Sequence, residues 1–496
     1  MAIPSTLLRD ETLFAPDPAF RYPRNPVRIV RTDWHADLEV SLNALHPETR
    51  FYPERDAELS RDGERFTFKA TRPGDWMLFF PDQPPVFVFL DDPAAWPLPP
   101  DAVRAPLSPG SPDNQAPLLN EAMKRLSRAG GGTLAVAPGT YRIGTLFMQS
   151  GVTLHLEAGT MLLASDHMED FPEEPEENVY RDLPRSLIPG AKRRLVLFQD
   201  VEDAGIVGRG VICANGSAWR NRLLPGRRLM MNLMRLVNCR NIRIEGVELR
   251  DSEFWTVHAI LSDHLRFDRV KLISEIPPKG WDRFKKADSQ SVWNNADGIN
   301  PDSTRDVEIL NCVFHTGDDC VPIKNTSTWH GELRDVRNIH VRGGLMRCST
   351  TACKIGTETL GGAIEDIVFE DIDIVQASRA FAADMKDGAA GRRLTFRDIR
   401  VHHCNRPFDF WILSREKHEN QTKFSRLEGI EVSNVAFYRV GIEGANGECH
   451  IQGRSPEHSV SKVRFREVTL EGKAFDPRTH PLVRKNEFVY EGLVQK

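Results

Sequence analysis

The chain of 496 residues has no run of 18 apolar residues, so no segment is read as a membrane-spanning helix. None of its eight cysteines forms a CxxC pair, which removes the usual zinc and dithiol spacings. They lie mostly in apolar, strand-like stretches such as ILNCVF (309–314) and GDDCVPI (317–323) and are read as buried free thiols, in keeping with a reducing compartment. Positive charge is not in excess. Lys and Arg number 65 against 70 Asp and Glu, a net charge of −5 that excludes the electrostatic footprint of a nucleic-acid binder. At the amino terminus no basic stretch precedes an apolar one, so no secretory leader is read there, and a cytoplasmic location is expected. Helical periodicity is scarce as well. The 35 glycines and 33 prolines point to many turns. With 40% hydrophobic and 27% charged residues the chain is an ordinary folded one.

Residues 1 to about 90 differ from the rest. Short segments such as RFTFKATRPGDWMLFF and PPVFVFLDD alternate in part and are separated by turn residues, which predicts a small antiparallel β-sandwich. Residues 91–116 are proline-rich and predict a linker that neither helix nor ladder can cross. A single clear helix follows at 117–129, with Leu118, Leu119, Ala122, Met123 and Leu126 on one face and Gly130-Gly131-Gly132 as its stop. From there to the end, at 117–496, period-two alternation predominates.

Within that region a unit recurs: a polar turn, an apolar-x-apolar strand, then a second strand. Anchored on Ile242, Leu265, Val307, Ile339, Ile367, Leu394, Ile430 and Val463, its steps are 23, 42, 32, 28, 27, 36 and 33 residues. A unit this small cannot bury its own apolar face and must stack on its neighbours. The shortest step suits one coil of a right-handed parallel β-helix, and the longer ones suit coils carrying insertions. Leucine-rich repeats and propellers fail on pattern and spacing. The expected fold is all-β: a parallel β-helix with a small N-terminal sandwich.

Two adjacent units hold the unusual residues, NNADGINPDS (294–303) and GDDCVPIK (317–324). Asp297 precedes Asp318 and Asp319 by 21 and 22 residues, about one coil, so all three fall on one face. Strands on neighbouring coils are about 4.8 Å apart. Carboxylates gathered in that way split their pKa values, as acid and base in glycoside hydrolysis must. Solvated turn aspartates or a calcium site are the alternatives. Against them, Asp318 and Asp319 lead straight into the strand CVPIK, and Lys324 ends that strand with a positive charge.

On these residues the chain resembles glycoside hydrolase family 28, the polygalacturonases, over about 113–470. The segments that carry the resemblance are GGGTLAVAPGTYRIGTLFMQSGVTLHLEAGTMLLAS, GIVGRGVICANGSAW, SEFWTVHAI, NNADGINPDS and HTGDDCVPIKN, the last two being the most specific. The resemblance implies a right-handed parallel β-helix and inversion at the anomeric carbon. It also implies Asp318 as general acid, with Asp297 and Asp319 holding and deprotonating the water. Two family features differ. Thr351 stands where the family has a histidine, and Asp384-Met385-Lys386 aligns with an arginine-isoleucine-lysine clamp for the sugar carboxylate. Loss of the arginine removes a bidentate carboxylate partner, so a substrate other than homogalacturonan is expected, although Lys354 and Lys386 remain to meet an acid.

Further candidates for substrate contact are Asn295, Lys324, Lys354, Glu358, Asp384, Lys386, His258, Trp293 and Trp411, with His315 and Trp255 weaker. Each has a plainer alternative: surface turn acids, packed histidines, aromatic core. Trp293 ends a polar insertion (275–293) that, with the acidic stretch from Glu169 to Glu177, is read as a wall favouring exo cleavage of short chains. The expected partner is an oligosaccharide or polysaccharide, without nucleic acid, membrane, metal or cofactor. A polysaccharide lyase and a glycan-binding solenoid without turnover are the competing readings.

Overall fold

The eight anchors of the repeat stand in a single file. Ile242 lies opposite Leu265, and the file continues through Val307, Ile339, Ile367, Leu394, Ile430 and Val463, each in parallel register with the next. Steps of 23 to 42 residues therefore each close one coil of a parallel β-helix. The computed structural model of the chain describes residues 9–20, 22–43, 45–80, 83–173, 193–222, 231–276, 294–326, 334–414, 423–441, 447–490 and 494–495. It divides into two compact units, one holding Met1–Pro97 and the other Leu98–Ile276 with Asn294–Lys496.

Three parallel sheets run the length of the β-helix. The first carries the anchor strands, from Gly132–Val136 to Val460–Leu470. The second begins at Gly139–Ile143 and the third at Leu146–Phe147, both ascending in step with the first. Along each strand alternate side chains enter a continuous apolar interior. Aromatic rings stack inside it from coil to coil, as Phe369 does on Phe396 with centroids 5.4 Å apart and planes within 2°.

The polar turn of the repeat has a backbone cause. The residue before each anchor adopts left-handed φ: Asn241 54°, His264 54°, Asp306 55°, Asn338 55°, Asp366 58°, Arg393 52°, Gly429 75° and Lys462 54°. Asn, Asp and Gly tolerate that region best, which explains five of these eight corner residues. Side chains there bond along the stack, Asn338 Nδ2 donating to Asp306 Oδ1 at 2.9 Å.

The helix spans Ala116–Arg128, and its Leu119, Ala122 and Met123 join the interior beside Leu134 and Val152. A solenoid end needs such a cover. The proline-rich stretch differs from the expectation. Val103–Arg104, in a window free of proline between Pro100 and Pro106, pairs in parallel with Leu134–Ala135, and the Ala105 N–H donates to the Ala135 carbonyl at 2.9 Å. From Leu98 onward these residues belong to the β-helix unit.

The first unit is a sandwich. A five-stranded sheet, in the order Arg9–Leu13, Val27–Asp33, Val86–Asp91, Gly74–Phe79, Arg50–Tyr52, shares a core with a three-stranded sheet in the order Glu39–Asn43, Arg65–Ala70, Ala57–Asp62. The core holds Phe66 and Phe68 from one sheet, and Trp76 and Val88 from the other. It is not wholly antiparallel as expected, since Val27–Asp33 and Val86–Asp91 pair in parallel.

Candidate active site

The third sheet carries the unusual residues on its outer face. Val321 and Ile323 point into the core, which leaves Lys324 outside; Cys353 and Ile355 do the same for Lys354. Asp302 lies opposite Lys324 on the next coil, a separation of 22 residues, so the one-coil offset expected for the aspartates holds. Backbone bonds pin the rungs: the Gly298 N–H donates to the Asp319 carbonyl at 2.9 Å, and the Cys320 N–H to the Thr351 carbonyl at 3.0 Å. Gly298 is required by this approach, since a Cβ would collide with the Cys320 carbonyl oxygen and stand 2.7 Å from the Phe314 ring.

Asp297, Asp318 and Asp319 are brought together and are nearly inaccessible, at 1%, 2% and 3% exposure. The Thr350 hydroxyl links two of them, 2.7 Å from Asp318 Oδ1 and 2.6 Å from Asp319 Oδ1. Asp319 also accepts from the Thr351 N–H at 2.9 Å and from Lys354 Nζ at 2.6 Å. Asn295 Nδ2 donates to Asp297 Oδ1 at 3.1 Å, and Lys324 Nζ stands 3.5 Å from Asp297 Oδ2.

Lys324 is buried, 2.9 Å from Glu358 Oε2 and 3.9 Å above the Trp255 ring centroid. Burial works against its charge, but the carboxylates of Glu358, Asp297 and Asp319 outweigh burial and hold its pKa above the ordinary lysine value. Asp297 is held well above the usual carboxylate range. Burial is the main cause; Lys324 pulls it down, and the charges of Asp318 and Asp319 push it up again.

Other candidates fall elsewhere. His258 is 1% exposed and turned to Asp302, its Nε2 3.0 Å from Oδ2. Burial lowers its pKa more than Asp302 restores it. His315 lies on the second sheet beside Arg347, Nδ1 to Nη1 at 3.3 Å, away from the aspartates' face. Trp255 packs on Phe254, centroids 5.1 Å apart, and carries the Lys324 ammonium on its ring. Asp384 already accepts three hydrogen bonds: Arg379 grips it at 2.8 and 3.0 Å, and Trp411 Nε1 donates to it at 2.5 Å. Trp411 is half-buried and stacks on His450, centroids 4.6 Å apart. Lys386 is partly buried at the end of that strand, its N–H bonded to Thr359 Oγ1 at 2.9 Å. Trp293, with residues 277–293 and 174–192 of the two insertions, lies outside the described residues. All eight cysteines are buried free thiols, as expected.

Sequence reasoning missed Thr350 and Arg379. Arg379 also reaches Asp409 at 3.2 Å and Thr351 Oγ1 at 3.1 Å. Nothing in the strand pattern marks it, because it shares the parity of the inward Phe381.

A parallel β-helix with a carboxylate cluster on one outer sheet is an architecture of carbohydrate-active proteins. The model of glycosyl hydrolases family 28 matches residues 186–479, more than half of the chain, and the chain belongs to that family. It is 24% identical over 346 residues to a Vitis vinifera protein named a probable polygalacturonase, covering 65% of each chain. It is 22% identical over 272 residues to the exo-poly-α-D-galacturonosidase of Dickeya chrysanthemi, covering 49% of this chain and 44% of the relative. The chain thus spans less than two thirds of these curated relatives. Among solved structures, a hyperthermoactive exopolygalacturonase from Thermotoga maritima superposes with a TM-score of 0.56 at 19% identity, covering 75% of this chain and 88% of that one. The polygalacturonase of Erwinia carotovora ssp. carotovora gives 0.56 at 17% identity, covering 81% and 98%. The shared fold is the right-handed parallel β-helix.

Proposed function

We propose that this protein hydrolyses a glycosidic bond of an oligosaccharide or polysaccharide with inversion, acting at chain ends, on a substrate related to pectin but other than homogalacturonan. The observation that carries the proposal is the Thr350 hydroxyl between Asp318 and Asp319. A hydroxyl has one proton to donate, so two ionised carboxylates at 2.7 and 2.6 Å would leave one short contact repulsive. Asp319 already receives an ammonium and a backbone N–H, which favours its charged form. The proton therefore resides on Asp318, which donates to Thr350 while Thr350 donates to Asp319.

Asp318 then protonates the leaving oxygen. Asp297 and Asp319 hold the water, and Asp297, beside Lys324, takes its proton. The electrostatic push on Asp297 would by itself assign the acid's role to that residue. Part of that push comes from a charged Asp318 and disappears once Asp318 carries the proton. Attack at chain ends is supported by the names of relatives, a galacturonosidase of the exo type among them.

The test is a panel of acidic and neutral oligosaccharides, with the first-formed anomer followed by NMR and chain length by chromatography. Release of the inverted anomer from chain ends by the wild type, with no turnover by Asp318→Asn, is the expected result. A retained anomer, an unsaturated product or an active Asp318→Asn protein would each overturn it. The protein is further proposed to act in the cytoplasm on imported short chains; cell fractionation with an antibody to the native protein tests this.

A further inference from the structure

The third sheet gives way to the first at a corner. Strand Thr351–Thr359 of the third sheet is followed by Ala363–Glu370 of the first, and Asp373–Met385 by Ala390–Val401. This corner holds a cavity of about 550 Å³, lined among others by Asp335, Arg337, Arg392, Phe424, Arg426 and His458. Its volume is that of a small-ligand site. Ala363 lies opposite Ala390, and Ala390 opposite Arg426, so two small side chains in a row form its floor. Arg392, two residues beyond Ala390, points to the same face of the sheet. Phe424 makes a wall with His458, ring centroids 5.6 Å apart, and the Arg454 guanidinium lies 4.0 Å from the Phe424 centroid. The cavity is tied to the rungs of the aspartates. Ser425, between Phe424 and Arg426, has its Oγ 3.3 Å from Thr359 Oγ1, and Thr359 follows Glu358, the partner of Lys324.

The cations of this corner differ from those beside the aspartates. Lys324, Lys354 and Arg379 each meet a carboxylate, at 2.9, 2.6 and 2.8 Å. A substrate acid would have to displace a buried partner from each of them, which is costly. At the corner Arg337 is likewise held, by Asp335 at 2.6 Å and Glu365 at 2.9 Å. Arg392 comes no nearer than 3.7 Å to Glu365, and Arg426 and Arg454 form no ion pair among the described residues. The other acid of the lining, Glu457, is exposed and accepts from the Ser455 hydroxyl at 3.0 Å. Arg392 and Arg426 thus face the cavity with their donors unclaimed by a carboxylate. A guanidinium fork matches a carboxylate in shape and charge, and an aromatic ring offers rigid area for the apolar face of a sugar.

Resting on the hydrolase reading above, we propose that this corner cavity is a subsite for a uronate of the substrate, at a ring away from the bond that is cleaved. Arg392 and Arg426 hold its carboxylate, and its ring packs on Phe424.

Calorimetric titration of the Asp318→Asn protein tests this with two probes of equal length and linkage, α-1,4-linked trigalacturonate and its carboxyl-reduced trigalactose counterpart. The acidic trimer is expected to bind about tenfold more tightly or better, as a charge-assisted hydrogen bond allows. Arg392→Gln with Arg426→Gln in the same background should abolish that preference and leave the reduced trimer unaffected, with thermal melts confirming that the fold is kept. Phe424→Leu should weaken both trimers. Equal or tighter binding of the reduced trimer, or an acidic trimer indifferent to the arginine substitutions, would overturn the proposal. So would citrate binding as tightly as the acidic trimer, since charge alone would then account for the attraction. If the wild type hydrolyses no glycan while the preference and its dependence on the two arginines persist, the hydrolase reading fails and the subsite stands. If it hydrolyses a glycan but binds both trimers alike, the subsite fails and the hydrolase reading stands.

Discussion

Lys354 Nζ stands 2.6 Å from Asp319 Oδ2, and both side chains are almost wholly buried. In that setting each group depends on the other, because a buried charge without its partner is costly. Lys354→Met alone is expected to destabilise the protein by about 3–5 kcal/mol, as breaking such a pair does. Lys354→Met combined with Asp319→Asn should recover much of the melting temperature but none of the turnover. A double-mutant cycle by thermal denaturation and kcat separates the two effects.

Asp297 should set the acidic limb of the pH profile. Its carboxyl is held well above the usual range mainly by burial, with the charge of Asp319 adding to it once Asp318 carries the proton. The base must be ionised, so activity should fall as pH drops through that raised value, at a higher pH than for an ordinary carboxylate. Lys324→Met removes the charge that pulls Asp297 down and should move the limb to higher pH. Stability runs in the opposite direction to activity. A carboxyl with a raised folded pKa favours the native state most below its unfolded value, and that contribution is lost as pH rises through the folded value. Asp297→Asn should therefore stabilise the fold more at pH 8 than at pH 4 while abolishing turnover, as denaturant melts at the two pH values would report.

Thr350→Val keeps the shape of the side chain and removes the hydroxyl that joins Asp318 to Asp319. The expected result is a fall in kcat of about tenfold or more, from the loss of a hydrogen bond worth ~1–2 kcal/mol, with KM little changed. Thr350→Ser should restore most of it. Unaltered kcat in Thr350→Val would remove the hydroxyl from the mechanism.

Gly298→Ala probes the rung itself. The added Cβ would meet the Cys320 carbonyl and the Phe314 ring. A loss of about 1–3 kcal/mol is expected, as for overpacking a tight core, together with a larger loss of activity. Parallel melts and rate measurements would show both.

The fold was legible because the constraint repeats. An apolar-x-apolar strand after a polar residue or glycine in left-handed φ recurs eight times, and each anchor stacks on the next. The aspartates were legible for the same reason, since coil length places 297 beside 319. Arg379 was hidden by its shared parity with Phe381, although its guanidinium bonds Asp384 and Asp409. The partners of His258 were hidden for a different reason. It alternates outward, yet Asp302 and Trp255 close over it. The proline-rich stretch was misread because a two-residue window suffices for parallel pairing.

The file of left-handed corners has a further consequence. Register is set afresh on every coil, so added length between anchors is absorbed within the coil that carries it. The step from Leu265 to Val307 is nearly twice that from Ile242 to Leu265, yet the anchors on both sides remain aligned. A lineage with such a scaffold can lengthen, trim or exchange the segments beside its aspartates without renegotiating the fold, and substrate range becomes the trait most open to change.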